Sequence, residues 1–349
     1  MTAFVLTYFA IPKIIVVAKL KNIFDEPDNR KTHKQNIPTL GGLAIFAGTI
    51  FSICFYTNSS FEEMRFIISG LLLLFYVGLK DDIIQMAAYK KLIAQIIAAV
   101  IVVYFGGIRI NTFYGLFGVY ELHPWISVPF SILTIIVITN AFNLIDGIDG
   151  LAGTISFLTC FVFGTWFFMY GNQPFYIPAY AVCGSILGFL IHNWHPAKIF
   201  MGDTGSLIVG FVNSILAIEF IETNRLLPSD EPMKVFAVPV VTIAILWLPL
   251  FDTLRVVMIR LSQGKSPLSP DRNHLHHMLV DNGFSHAKST ITLLLINSTF
   301  VLFAFTFQKW RGETLLIFLS ILMLLVTLIL KFICRKKLNG TLQNKIFLK

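Results

Sequence analysis

The sequence contains 349 residues, of which 56% are hydrophobic and only 13% are charged, and its mean hydropathy is +0.75. A soluble domain usually carries about 25% charged residues, so this composition excludes an ordinary soluble protein and predicts one membrane domain over residues 1–349. The net charge of +8 does not indicate nucleic-acid binding, because the basic residues lie between apolar segments and form no basic stripe.

Apolar segments long enough to cross a bilayer recur along the chain. The N-terminal segment lacks a preceding basic region and a small-residue cleavage pattern, so we predict that it is the first span and not a signal peptide. The predicted fold class is an all-α integral membrane bundle of about 11 transmembrane helices. The predicted spans lie near residues 2–18, 40–57, 64–79, 91–106, 126–142, 152–170, 174–192, 206–222, 235–251, 290–307 and 314–333.

The distribution of Lys and Arg predicts the orientation of this bundle. Most of the 27 basic residues fall in alternate loops and in the tail after residue 330. Because basic loops stay in the cytoplasm, we predict that the N-terminus lies outside and the C-terminus inside. The predicted cytoplasmic loops lie near 19–39, 80–90, 143–151, 193–205 and 252–289, and the opposite side carries Arg65, Arg109, Arg225, Lys234, Lys309 and Arg311.

An acidic pair follows the third predicted span. Asp81 and Asp82 lie at its end, and Lys91 begins the next span. Adjacent carboxylates at a membrane edge can hold a divalent cation, or one of them can act as a base. For this pair taken alone we favour a solvated helix end, with Lys91 as a snorkelling anchor.

The segment from Asn140 to Gly150 is more informative. It contains Asn140, Asn143, Asp146 and Asp149 within a few residues at the mouth of a span. Acids at a membrane edge are costly unless they are paired, bound to metal or functional, so we predict a functional site. The alternative is that the Asp-Gly pairs only form tight turns.

Asp203 lies between two glycines, and Thr204 and Ser206 follow it where another span begins. Backbone N–H groups at such a helix start can contact phosphate while the acid binds a cation. The alternative, compatible with this function, is an N-cap formed by Thr204 or Ser206.

Three histidines, His274, His276 and His277, lie in the predicted loop near 252–289. They lack the spacing of a zinc site, so we favour contact with phosphate over a solvated loop. Arg255 can add a contact to phosphate or mark the cytoplasmic end of a helix. The first loop carries Arg30, Lys31, His33 and Lys34, which either serve orientation alone or have a further role that the sequence leaves open.

Taken together, these clusters resemble the polyprenyl-phosphate N-acetylhexosamine-1-phosphate transferase family, also called glycosyltransferase family 4. The match extends from Arg30 to about Ser285, and its most specific parts are NAFNLIDGIDGLAG and FMGDTGSL. The HLHH pattern resembles the undecaprenyl-phosphate GlcNAc-1-phosphate transferase branch more than the related phospho-MurNAc-pentapeptide translocase, which has three consecutive histidines. Two residues depart from the family pattern: Tyr89 stands where a lysine is expected, and Lys80 directly precedes the acidic pair.

The resemblance implies the roles of individual residues. It implies Mg²⁺, with Mn²⁺ as an alternative, and a cytoplasmic active site in the inner membrane of a bacterium. The partners implied are a UDP-sugar and a polyprenyl phosphate, and a homodimer is left open. We group Asp146 and Arg255 with the substrate-binding residues. The roles implied are metal ligation by Asn143 and Asp203, catalytic contact near the lipid phosphate by Asp81, Asp82 and Lys91, uridine contact by Asp149, Asn193 and Phe200, and contact near the phosphates by His274, His276 and His277.

The resemblance implies a reaction that transfers a sugar 1-phosphate from a UDP-sugar to undecaprenyl phosphate and releases UMP. The sugar that it favours is GlcNAc, transferred as GlcNAc-1-phosphate. The sequence leaves open a base role for Asp81 or Asp82, and a two-step route through a carboxylate intermediate. It also leaves open UDP-GalNAc, a 6-deoxy amino sugar or UDP-MurNAc-pentapeptide as the donor. A proton-coupled transporter is a weaker alternative, because the acids lie at one edge of the membrane and no internal repeat is evident.

Overall fold

The computed structural model of the protein describes residues 1–21, 23–24, 37–57, 62–266 and 272–346, with side chains described up to Cys334. The basic cluster Arg30, Lys31, His33 and Lys34 of the first loop lies outside the described residues. These described parts of the chain are mostly helical. The helices are α1 (Thr2–Leu20), α2 (Gly41–Tyr56), α3 (Glu62–Ile83), α4 (Ala88–Val100, continued by a π-helical turn to Phe105), α5 (Pro124–Ile145), α6 (Leu151–Tyr170), α7 (Gln173–Asn193), α8 (Gly202–Leu226), α9 (Val238–Ile245), α10 (Trp247–Ser262), α11 (Leu275–Asp281), α12 (His286–Thr306) and α13 (Gly312–Ile346).

Many of these helices are suited to a membrane. Within the described ranges, eight are long and apolar enough to cross a bilayer, or nine if the bent pair α9 and α10 forms one span. Two further predicted spans coincide with α2, which has only 16 residues, and with α3, which carries charged residues at both ends. A polytopic helical membrane protein is therefore confirmed, while the number of eleven spans and their orientation stay predictions.

Helix α8 forms the centre of the bundle, and nearly all of its residues are buried. Small residues on α8 and its neighbours let the backbones approach closely, as is common between membrane helices. A Cβ atom on Gly78 of α3 would lie 2.6 Å from the Cα of Thr204, and one on Gly210 would lie 2.8 Å from the Cα of Thr139 in α5. These close contacts bring the ends of α3 and α5 beside the first turn of α8.

The predicted span near 235–251 is broken into α9 and α10, which meet at an angle of 81°. The side chain of Asn297 in α12 satisfies the backbone groups that the break exposes. Its Nδ2 donates to the carbonyl of Ile245 (3.1 Å), and its Oδ1 accepts from the N–H of Leu248 (2.8 Å). Backbone groups left free inside a membrane are costly, so this buried asparagine stabilises the bend.

A short antiparallel hairpin interrupts the predicted all-α fold between α4 and α5. Its strands are β1 (Thr112–Leu116) and β2 (Val119–Glu121). Gly115 in β1 and Gly118 in the turn are both at φ +78, which is a left-handed conformation that favours glycine. The hairpin packs at the C-terminal end of α8, where the Tyr114 hydroxyl donates to the carbonyl of Ile221 (2.7 Å).

Candidate active site

The first turn of α8 is held by the carboxylate of Asp82, which lies at the end of α3. Asp82 accepts hydrogen bonds from the N–H of Asp203 (2.7 Å), the N–H of Thr204 (3.1 Å) and the Thr204 hydroxyl (2.5 Å). A carboxylate in this place satisfies free N–H groups and lies at the positive end of the helix dipole. Asp82 is therefore the residue that caps α8, a role that the sequence analysis gave to Thr204 or Ser206.

Lys91 lies between two carboxylates. Its Nζ is 3.1 Å from Oδ2 of Asp81 and 2.6 Å from Oδ2 of Asp203. The other oxygen of Asp81 accepts from the N–H of Met86 (2.6 Å), in the turn that joins α3 to α4. Three residues from α3, α4 and α8 thus converge on one point, where the ammonium group compensates two negative charges.

Asn143 connects α5 to this group. Its Nδ2 lies 3.2 Å from Oδ1 of Asp203 and 2.8 Å from Oγ of Ser206. One helical turn away, Asn140 pairs with Gln95 of α4 through hydrogen bonds of 2.5 and 3.3 Å. The spacing of the two asparagines therefore places one in a polar pair inside the bundle and the other beside Asp203.

Asp146 adds a further acid, directly after α5. Burial, followed by the negative charges of Asp203, Asp82 and Asp149, raises the pKa of Asp146 to about 8. In the metal-free protein this carboxyl is therefore mostly protonated at pH 7. Crowded carboxylates with an amide group beside them are the donor types that Mg²⁺ accepts, so the residues around Asp203 fit a divalent cation.

A second cluster lies around the buried carboxylate of Asp149. Its Oδ2 is 2.7 Å from Nδ1 of His195, and its Oδ1 is 3.1 Å from Nδ1 of His286. The N–H of Ala197 also donates to Oδ2 (3.2 Å). These three groups could hold a metal ion, but two imidazoles and one carboxylate suit a transition metal better than Mg²⁺. His286 was not among the sequence candidates, because only the folded chain brings it to Asp149.

Asn193 and Phe200 shape the segment that leads into α8. The side chain of Asn193 accepts from the N–H of Gly150 (2.8 Å) and donates to the carbonyl of Ile199 (2.7 Å). The backbone of Phe200 pairs with Pro38 (2.7 Å) and Gly41 (2.9 Å). Both residues lie beside the site, and their contact with uridine stays a prediction.

The histidine motif reaches the Asn140–Gly150 segment through His276. A Cβ on Gly147 would lie 2.2 Å from Nε2 of His276, so only glycine fits there. Burial lowers the pKa of His276, and burial together with the nearby Arg272 lowers the pKa of His277 to about 4. Among the described residues, Nε2 of His276 and Nδ1 of His277 are buried without a hydrogen-bond partner. These two nitrogens thus have hydrogen-bonding capacity that the described residues do not use.

The predicted loop near 252–289 is partly helical, because α10 continues to Ser262 and α11 lies within it. Arg255 is on α10, where its Nη2 donates to Asp252 (2.9 Å) and to the carbonyl of Asn273. Contact of Arg255 with the substrate stays a prediction. Asp252 was missed by the sequence analysis, although an acid inside the run LPLFDTLRVV is a signal of function at a membrane edge.

Comparison with known proteins gives a consistent result. The model of glycosyl transferase family 4 matches residues 64–221, which include Asp81, Lys91, Asn143 and Asp203 but end before the histidine motif. Among curated proteins, the chain is 34% identical to a probable undecaprenyl-phosphate N-acetylglucosaminyl 1-phosphate transferase of Bacillus subtilis, over 92% of this chain and 88% of that protein.

Two further relatives carry related names. A decaprenyl-phosphate N-acetylglucosaminephosphotransferase of Mycolicibacterium smegmatis is 33% identical, over 84% of this chain and 78% of that protein. An undecaprenyl-phosphate alpha-N-acetylglucosaminyl 1-phosphate transferase of Escherichia coli K12 is 28% identical, over 80% and 75% respectively. The resemblance predicted from the motifs is thereby confirmed, and the chain belongs to glycosyl transferase family 4.

Proposed function

We propose that the protein transfers GlcNAc-1-phosphate from UDP-GlcNAc to undecaprenyl phosphate, releasing UMP and forming a lipid-linked sugar pyrophosphate. The observation that carries this proposal is the convergence of Asp81, Lys91, Asn143 and Asp203 at the first turn of α8. The names of the relatives support both the donor sugar and the lipid acceptor. A product of this kind is suited to begin a cell-surface polysaccharide.

Both reactants are anionic, so the enzyme must suppress their repulsion. Mg²⁺, or Mn²⁺ in its place, would be held by Asp203 and Asn143 and would neutralise charge on the pyrophosphate of the donor. Lys91 lies within 3.1 Å of both Asp81 and Asp203 and supplies a fixed positive charge for phosphate oxygens. The buried nitrogens of His276 and His277 supply further contacts for the donor phosphates.

The two acids of the pair have different surroundings. Asp82 is fully engaged in capping α8, whereas Asp81 pairs with Lys91 and stays partly accessible. We therefore assign the contact with the acceptor phosphate to Asp81. The acceptor needs no strong base, because the second pKa of a phosphate monoester is about 6, and a direct attack on the β-phosphorus requires no covalent intermediate.

An apolar cavity of about 450 Å³ provides a path for the polyprenyl chain. It runs between α5, α8 and α9 from the hairpin to Leu250, two residues before Asp252. A lipid tail in this cavity would bring its phosphate to the polar end of the bundle. The residues that line it include Phe113, Phe130, Ile138, Ile218, Ile243 and Leu250.

The proposed location is the inner membrane of a bacterium, with a single domain, the N-terminus outside and the site in the cytoplasm. This orientation follows from the basic loops and lets a soluble nucleotide sugar meet a membrane lipid. It can be tested by introducing one cysteine, at Lys80 or at Arg311, in a Cys54→Ser background, where the three remaining cysteines are buried. A membrane-impermeant maleimide added to intact cells should label position 311 and not position 80, and labelling of position 80 would contradict the orientation.

The reaction is tested with the purified protein, Mg²⁺, undecaprenyl phosphate and a panel of UDP-sugars. We expect UMP release that requires the lipid and is fastest with UDP-GlcNAc. Faster release with UDP-GalNAc, a 6-deoxy amino sugar donor or UDP-MurNAc-pentapeptide would change the substrate and keep the reaction. No lipid-dependent release with any donor would contradict the proposed function and favour a transporter. Light scattering of the same sample tests the homodimer.

A further inference from the structure

Asp252 is a buried acid that none of the sequence motifs includes. Only 1% of its surface is exposed, and it lies in the second turn of α10, after the break between α9 and α10. A carboxylate this deeply buried is costly unless every oxygen is paired. Its environment therefore indicates a specific role.

Both oxygens of Asp252 are engaged, and the two differ in what they hold. Oδ1 accepts from Nη2 of Arg255 (2.9 Å) and from the N–H of Leu275 (3.0 Å), the first residue of α11. Oδ2 lies 2.9 Å from Nδ1 of His274. Because a carboxylate only accepts, Nδ1 of His274 must carry the hydrogen of this bond. One oxygen fixes the helix start, and the other fixes the protonation pattern of the imidazole.

The orientation of His274 is transmitted to the rest of the histidine motif. Its ring is nearly parallel to the ring of His276, with a distance of 5.4 Å between centroids and an angle of 17°. The His276 ring in turn lies 4.3 Å from that of His277 and has its Nε2 against Gly147. A continuous contact therefore connects Asp252 to the segment that contains Asn143 and Asp146.

We infer that Asp252 is a positioning residue for the transfer reaction, which holds His274 in the Nδ1–H form and, through it, sets the orientation of His276 beside the donor phosphates. This inference rests on the proposed function. Asp252 itself does not contact substrate.

The substitution Asp252→Asn separates this role from simple anchoring. The amide oxygen can still accept from Arg255 and Leu275 in place of Oδ1. Its NH₂ group would face Nδ1 of His274, however, which reverses the ring nitrogen that carries the proton and removes the negative charge. The helix start is thus preserved while the support of His274 is lost.

The experiment measures lipid-dependent UMP release for the wild type, Asp252→Asn, His274→Ala and the double variant, with Asp230→Asn, an exposed acid elsewhere, as the matched control. Rates are divided by the number of UDP-GlcNAc sites found by equilibrium binding, so that only folded protein is counted. We expect Asp252→Asn to lower kcat about 10²-fold with a KM for UDP-GlcNAc within about threefold. On the His274→Ala background the same change should lower kcat less than about twofold, because coupled residues are not additive.

Three results would overturn the role of Asp252. They are a kcat of Asp252→Asn within about twofold of the wild type, an equal loss on both backgrounds, and a loss explained by fewer binding sites and a lower unfolding temperature. Each of these requires an active wild type. An inactive wild type would instead contradict the proposed function itself, and the role of Asp252 with it.

Discussion

The two ends of α8 are both polar, but the acidic side chains at the two ends have different surroundings. At the C-terminal end, Glu222 accepts from the backbone N–H of Asn111 (2.7 Å) and from its side chain (2.9 Å), and lies 3.4 Å from Arg225. At the N-terminal end, Asp81 and Asp203 share a single lysine, and burial together with the charges of Asp203, Asp82 and Asp149 raises the pKa of Asp146 to about 8.

This difference distinguishes the candidate site from the opposite end of the helix. Neutral amide donors satisfy Glu222, so this carboxylate needs no ligand. Acids crowded at the other end repel one another, and a bound cation relieves this repulsion. Because Glu222 follows Asp203 by 19 residues on α8, the two acids lie about 28 Å apart at 1.5 Å per residue, and each can be changed without disturbing the other.

The largest effect is expected from Asp203→Asn. The amide keeps the size of the side chain but removes the charge that pairs with Lys91 and would hold the cation. We expect lipid-dependent UMP release to fall about 10³-fold, measured in detergent with saturating Mg²⁺. Asp230→Asn, in the exposed segment beyond the other end of α8, should leave the rate unchanged. Near-normal transfer by Asp203→Asn would exclude it as a metal ligand.

The second prediction concerns pH and uses the raised pKa of Asp146. A carboxyl whose pKa is raised in the folded state stabilises that state at low pH, and this contribution is lost as pH rises from about 4 towards 8. Binding of Mg²⁺ should release the proton, so its affinity should rise up to tenfold per pH unit below pH 8 and level off above it. The Mg²⁺-induced shift in unfolding temperature measures this.

Asp146→Asn provides the comparison for this measurement. The variant lacks the titrating group, so its Mg²⁺ affinity should change less between pH 6 and 8 than that of the wild type. An equal dependence on pH in both proteins would show that Asp146 does not sense the cation.

A smaller effect is expected from Asp82→Asn. The amide oxygen can still accept from one or two of the three donors in the first turn of α8. Loss of part of this cap should destabilise the protein by about 1 kcal/mol and lower the transfer rate about tenfold, far less than Asp203→Asn. Thermal unfolding and UMP release measure the two effects. A loss as large as that of Asp203→Asn would instead assign Asp82 to the reaction.

The sequence was sufficient to identify the membrane class and the family, and its candidate site residues come from segments that the fold brings together. Hydropathy alone predicts a helix at each of the eleven segments, because lipid leaves the backbone few alternatives. The motifs also identified Asp81, Lys91, Asn143 and Asp203, which the folded chain brings together. The local composition indicated these residues, because an acid at a membrane edge costs free energy and is seldom present without a role.

Other features depend on distant partners and could not be predicted locally. The cap formed by Asp82 requires α3 and α8 to meet across 121 positions of sequence, and the pair of Asp149 with His286 requires contact across 137. The bend between α9 and α10 requires Asn297 from a later helix. The hairpin was missed because its strands are too short to give a clear alternation.

The smallest effect on activity is expected at the C-terminal end of α8. Glu222→Gln keeps one acceptor for Asn111 but loses the other and the pairing with Arg225, so it should lower the stability by about 1 kcal/mol. Because this end lies on the opposite side of the proposed membrane domain, UMP release should stay within about twofold of the wild type. Arg109→Ala, which changes a nearby charge and leaves Glu222 in place, should also retain activity. Thermal unfolding in detergent checks that each variant is folded. Strong inactivation of a folded variant would mean that the two ends of α8 are coupled. It would also mean that a fully hydrogen-bonded acid cannot be assumed to have only a structural role.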